Sequence, residues 1–134
     1  RNEPIEIWGD GSVVRDYLYV GDVAEAAAKC ADYTAPPEAP RTFNIGGGHG
    51  LSLLQVIEGL SRALEKTPDV RFTAARSLDV PISVLDISLA EKHLGWSPRT
   101  TFSDGLRKTV AAYVKSGGTA PIEPAAHPTQ PAPR

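Results

Sequence analysis

The chain has 134 residues, 41% of them hydrophobic, and a formal net charge of −2 at pH 7, which suits one domain with a modest core. That charge excludes the basic face a nucleic-acid surface needs, no apolar run approaches the roughly eighteen residues of a membrane span, and the N-terminus lacks the apolar segment of a secretory signal. With one cysteine no internal disulfide can form, and a reducing cytoplasm is the expected compartment. In chain order, Ile5 and Ile7 alternate with polar neighbours as a half-buried strand does, and Gly9-Asp10-Gly11 then signals a tight turn. Tyr17-Leu18-Tyr19-Val20 has the aromatic and branched content of a second short strand. Asp22, with Glu25 three residues on, forms a capping-box-like pair, which predicts a helix over about 23–33. Cys30 stands among Ala27, Ala28 and Ala31, so small core packing is expected of it rather than nucleophilic chemistry.

Three prolines between Thr34 and Pro40 break that helix into a surface loop. Residues 41–45 read as a short strand, followed by Gly46-Gly47-Gly48-His49-Gly50 and by Ser52 with Gln55, a capping box for the next helix. On that helix Leu53, Val56, Ile57, Leu60 and Leu64 share one face. Gly59 in its interior costs roughly 1 kcal/mol relative to alanine. The glycine cluster invites a phosphate-loop reading. It lacks the Lys-Ser/Thr of a Walker loop, however, and puts Leu51 or Leu53 where the third glycine of GxGxxG belongs, so a tight strand-to-helix turn is expected. Val70-Arg71-Phe72-Thr73 alternates as a strand, and 76–81 forms a charged turn. Ser88 and Glu91 cap a short helix that Gly95 ends. The last helix is capped near Thr101 or Ser103 and carries Leu106, Val110, Tyr113 and Val114 on one stripe. The final fourteen residues contain five prolines, and residues 117–134 are expected to be a disordered tail.

Among the polar residues Arg15 draws most interest. A guanidinium held at a turn-to-strand junction offers a fork of donors matched to carboxylate or phosphate; the alternative is a salt bridge to Asp16, Asp10 or Asp22. Asp16, Asp22 and Asp86 read as turn and cap carboxylates. His49, His93 and His127 share no ligand spacing, so no metal site is predicted.

Three blocks, GDGSVVRDYLYVGDVAEA, FNIGGGHGLSLLQV and RSLDVPISVLDISLAEKHLGWSP, occur in one order. Together they resemble the C-terminal part of the extended short-chain dehydrogenases that epimerise or dehydrate nucleotide sugars, most closely the UDP-glucose 4-epimerase branch. The resemblance covers roughly residues 4 to 114. It implies an α/β fold of short strands and about four helices, with residues 1–116 forming the nucleotide-sugar-binding portion. Within it, helix 22–33 and strand 41–45 would pack on the dinucleotide-binding sheet. It further implies that Arg15 and Arg76 hold the nucleotide diphosphate of a UDP-sugar, that Asp79 hydrogen-bonds a ribose hydroxyl and that Trp8 lies along the base. Ser77 and Leu78 depart from the proline and glycine common in the family, and Ser83 from a tyrosine of its UDP-galactose epimerases.

The family's reaction uses tightly held NAD and a tyrosine-lysine pair spaced YxxxK. Here the fourth residue after each tyrosine is Gly21, Val23, Pro37 or Gly117, and the glycine-rich dinucleotide turn is missing too. The chain alone is therefore expected to bind no NAD and to be catalytically silent. It contains no methionine and begins at Arg1, so a piece of a longer protein is the expectation. Its alanine-rich helix would then leave apolar surface open to self-association.

Overall fold

The computed structural model describes residues 3–117. In chain order the elements are β1 (Ile5–Trp8), β2 (Val14–Asp16), α1 (Val20–Asp32), β3 (Gly50–Ser52), α2 (Leu53–Leu64), β4 (Val70–Thr73), β5 (Ile82–Ser83), α3 (Ser88–Leu94) and α4 (Phe102–Lys115). The fold class is mixed α/β with short strands and four helices among the described residues. Two small sheets carry the strands. β1 pairs in parallel with β4, Ile7 opposite Phe72, while β2 lies between antiparallel β3 and parallel β5.

Local chemistry accounts for much of this. The alternation of β1 sends Ile7 inward and leaves Glu6 and Trp8 on the opposite face. Gly9 and Gly11 take φ of 81° and 76°, a region that costs other residues backbone strain, and this lets the chain reverse from β1 into β2. Ser52 and Gln55 close a reciprocal capping box at the start of α2, with Ser52 Oγ accepting the Gln55 amide and Gln55 Oε1 accepting the Ser52 amide. Thr101 caps α4 through the Asp104 amide. Gly59 marks where α2 meets α4: a Cβ added there would lie 2.9 Å from Phe102 and 3.1 Å from Leu106.

The core is small, formed by Ala26, Ala90, Leu94 and Trp96, with Leu18, Tyr33, Phe43 and Ile45 packed around it. Its polar tie is Asp22. The main-chain carbonyl of Asp22 accepts the Trp96 indole N–H at 3.1 Å, and its carboxylate accepts the Thr100 amide at 2.9 Å and the Thr100 hydroxyl at 3.0 Å. At 6% exposure the carboxylate requires such partners.

Several expectations are corrected here. Asp22 is no cap: α1 starts at Val20, its N-cap Tyr19 makes no side-chain bond, and tertiary bonds to Thr100 have claimed the carboxylate. The second strand is Val14–Asp16 rather than 17–20, because Val20 is drawn into the helix. Residues 41–45 form no strand. No described strand runs beside them to complete a ladder, and Phe43 and Ile45 serve the core by packing instead, Phe43 edge-on to Tyr33 at 5.3 Å. The α3 cap is supplied from two residues earlier, with Asp86 Oδ1 accepting the Ser88 amide. Cys30 is exposed. At about 100° per residue it lies beside Val23 at the edge of the exposed arc of α1, next to the strip that buries Ala26. The predicted tail beyond residue 117 lies outside the described residues.

Replacing Gly59 with alanine removes backbone entropy in the unfolded chain but drives a methyl into Phe102. Overpacking outweighs helix propensity, so Gly59→Ala is expected to lower stability by about 1–2 kcal/mol in urea denaturation. Gly59→Ala matching or exceeding the parent would show that α2 and α4 are not in such close contact.

Candidate functional site

The turn after β1 and the start of β2 face the 76–81 turn across a hollow of about 220 Å³, whose lining includes Glu6, Trp8, Arg15, Leu53, Arg76 and Asp79. All four residues singled out in the sequence, Trp8, Arg15, Arg76 and Asp79, thus border one cavity although they span more than seventy positions. A second hollow shares Trp8, Arg76 and Asp79 with it. On its rim the Ser12 hydroxyl and amide hold the Asp10 carboxyl below the usual carboxylate range.

The two arginines are held differently. Arg15 Nη1 donates to the carbonyls of Val14 at 2.8 Å and Val80 at 2.7 Å, which clamps β2 to the far turn and fixes the guanidinium. Its acidic neighbours in sequence are engaged elsewhere. Asp10 accepts from Ser12, Asp22 from Thr100, and Asp16 from the amides of Gly47, Gly48 and Leu85 at 2.6, 3.2 and 3.2 Å. Among the described residues, then, no carboxylate pairs with Arg15. Arg76 meets Asp79 side-on, Nε to Oδ2 at 3.2 Å and Nη2 to Oδ1 at 3.1 Å, and its guanidinium lies 3.6 Å from the centroid of the Trp8 ring. The arrangement combines a fork-to-fork ion pair with a cation–π contact. The indole face expected to run along a base is, on one side, covered by Arg76.

Sequence reasoning missed three contributors. Glu6 Oε1 accepts the Trp8 indole N–H at 2.9 Å, a placement that the two-residue period of β1 could have suggested. Leu53 enters from the start of α2, and the Val80 carbonyl is a backbone group with no side-chain signal.

Asp16 also decides the glycine cluster. Its carboxylate already takes the Gly47 and Gly48 amides and puts a negative charge in the turn, where a phosphate would be repelled. Ser52 caps the helix behind it. The glycine turn does not fit a dinucleotide phosphate. No group of three or more His, Cys, Asp and Glu residues among those described could hold a metal ion, and no described helix is long and apolar enough to cross a membrane.

Residues 1–46 match the NAD dependent epimerase/dehydratase family. The chain belongs to this family and matches part of an extended short-chain dehydrogenase. It is similar to a UDP-glucuronate 4-epimerase from Thermodesulfobacterium geofontis, with 34% identity over 82% of this chain and 33% of that protein. It is also similar to a dTDP-glucose 4,6-dehydratase from Neisseria gonorrhoeae, with 32% identity over 84% of this chain and 35% of that one. Among solved structures it resembles the UDP-glucose 4-epimerase from Bifidobacterium longum in complex with NAD+ and UDP. The TM-score is 0.77 and the identity 29%, over 86% of this chain and 36% of that one. The chain spans about a third of the length of the curated relatives it matches.

Removing the Asp16 carboxylate should free the amides it holds. In Asp16→Ala, hydrogen exchange at Gly47 and Gly48 is expected to speed up by about tenfold or more, in keeping with hydrogen bonds to charged groups worth roughly 1.5–3 kcal/mol. Unchanged exchange would mean that these amides are protected by something other than Asp16.

Proposed function

We propose that this chain is the nucleotide-sugar-binding part of an NAD-dependent epimerase of the UDP-glucose 4-epimerase type, and that the hollow between Arg15 and Arg76 takes the diphosphate of a UDP-sugar. The observation that carries this reading is the shared cavity: two guanidinium groups from distant parts of the chain border it, and one of them, Arg15, has no described anionic partner. Its remaining N–H donors supply the charge and geometry a phosphate accepts. Arg76, steadied by Asp79 and Trp8, supplies the second fork. Asp79 is only partly exposed and is the acceptor suited to a ribose hydroxyl. This chain's residues bind and orient; NAD supplies the hydride chemistry of the family, and with neither a fitting dinucleotide turn nor a YxxxK pair the chain by itself is catalytically silent. The similarity to a dTDP-glucose 4,6-dehydratase supports a second reading, in which the same binding part serves a dehydratase.

Titration calorimetry tests the binding role. UDP is expected to bind with a dissociation constant near the millimolar range, and Arg15→Gln or Arg76→Gln should each weaken it by about ten- to a hundredfold. No heat with UDP, dTDP or GDP would overturn the reading.

The same proposal gives α1 a second role. Val20 is 71% exposed, and Val23 and Cys30 are exposed along one arc with Ala24, Ala27, Ala28 and Ala31, an apolar surface that a soluble monomer seldom leaves bare. Copies of the chain associate through it. Sedimentation velocity should find concentration-dependent dimers or larger species that Ala27→Glu suppresses; a monomer at all concentrations would refute this.

A further inference from the structure

We infer that the hollow between residues 17–20 and the first turns of α4 is a docking groove for a Pro-x-x-Pro segment, and that its occupant is Pro121-Ile122-Glu123-Pro124 of this same chain. The hollow, of about 320 Å³, is mainly apolar, and Tyr17, Tyr19, Phe102, Leu106 and Thr109 line it. Among the described residues neither tyrosine hydroxyl has a hydrogen-bond partner. Such a groove matches a polyproline II segment for a physical reason. That helix makes no internal hydrogen bonds and proline has no N–H, so the segment offers carbonyls that need donors, and its rings offer apolar faces that pack on aromatic ones.

Charge and reach select the occupant. Beyond Gly117 the sequence holds two Pro-x-x-Pro stretches, at 121–124 and 128–131, and only the first has an acidic residue, Glu123, between its prolines. Lys108 Nζ stands 4.9 Å from the centroid of the Tyr19 ring that lines the hollow. The nearby Asp104 carboxylate pairs with Arg107, so Lys108 offers Glu123 a partner at the groove's edge. The chain also leaves α4 suitably: Gly117 takes φ of 74° and its amide donates to the Val114 carbonyl at 3.1 Å, a left-handed helix ending that turns the chain off the helix axis. From Gly117 to Pro124 the polyproline rise covers about 22 Å. That is the distance back along α4 from Gly117 to Phe102 at about 1.5 Å per residue. Because groove and ligand share one chain, a high effective concentration lets a weak contact suffice.

NMR relaxation on the full chain tests this. The backbone amides of Ile122 and Glu123 are expected to give order parameters above about 0.6, and those of Thr129 and Gln130 to fall below it. Replacing Pro121 and Pro124 together with alanine should drop Ile122 and Glu123 to the values of Thr129, whereas the same change at Pro128 and Pro131 should leave them as they are. Lys108→Glu, at an exposed position, should also release the segment, and adding Glu123→Lys to that variant should restore its order. Ile122 and Glu123 as mobile as Thr129 in the parent, or order that survives Lys108→Glu, overturns the inference. Order that disappears on tenfold dilution overturns it too, because the groove would then be filled by a second copy of the chain.

Discussion

The arrangement of the site depends on one carboxylate. Asp16 ends β2 and gathers the amides of Gly47, Gly48 and Leu85, which tie β2 to the segments just before β3 and just after β5, its two neighbours in the sheet. Because Asp16 fixes β2 from one side, Arg15 immediately before it is fixed on the other. The carbonyls of Val14 and Val80 complete the constraint by seating Arg15 Nη1. An arginine immobilised through neutral carbonyls keeps its full charge, whereas one immobilised through a carboxylate is largely neutralised. The hollow contains one of each, Arg15 of the first kind and Arg76 of the second.

Asp22 has the equivalent place in the helical half. Its main chain holds the Trp96 indole and its side chain holds Thr100, so the start of α1, the largest core residue and the approach to α4 are tied at one point. Two acidic residues six positions apart thus organise the two halves of the fold. Both are satisfied by hydrogen-bond donors rather than by cations, an arrangement that holds a carboxylate without the entropy cost of ordering a long basic side chain.

What could be read in the sequence was what short-range chemistry determines. The β1 and β4 strands follow from alternation at Ile5 to Trp8 and Val70 to Thr73. The box of Ser52 and Gln55 fixes the start of α2, and Thr101 fixes that of α4. The three motif blocks brought the family and the four residues bordering the hollow into view together. The errors arise where a distant group outbids a local preference. Asp22 has the composition of a cap, but Thr100, seventy-eight positions away, takes its oxygens. Residues 41–45 have a strand's composition, but a strand exists only beside another, and no described neighbour is there. Cys30 sits among alanines, yet which arc of a helix is covered depends on where α3 and Trp96 lie. Gly59 reads as a flaw in α2, and only the Phe102 ring against it, which no local signal reveals, accounts for the glycine. Glu6 carries no sequence signal of a place at the hollow, because a charged residue on a two-stranded sheet ordinarily faces only water.

The two tryptophans occupy opposite extremes. Trp96 is 1% exposed within the core, whereas Trp8 is 37% exposed and carries a guanidinium on its ring. Their emission therefore divides into two optical channels, a blue, shielded one that follows the integrity of the interior and a red, quencher-accessible one that follows events at the cavity mouth. The protein carries its own pair of reporters, and no dye or label is needed to tell a change in the interior from one at the cavity mouth.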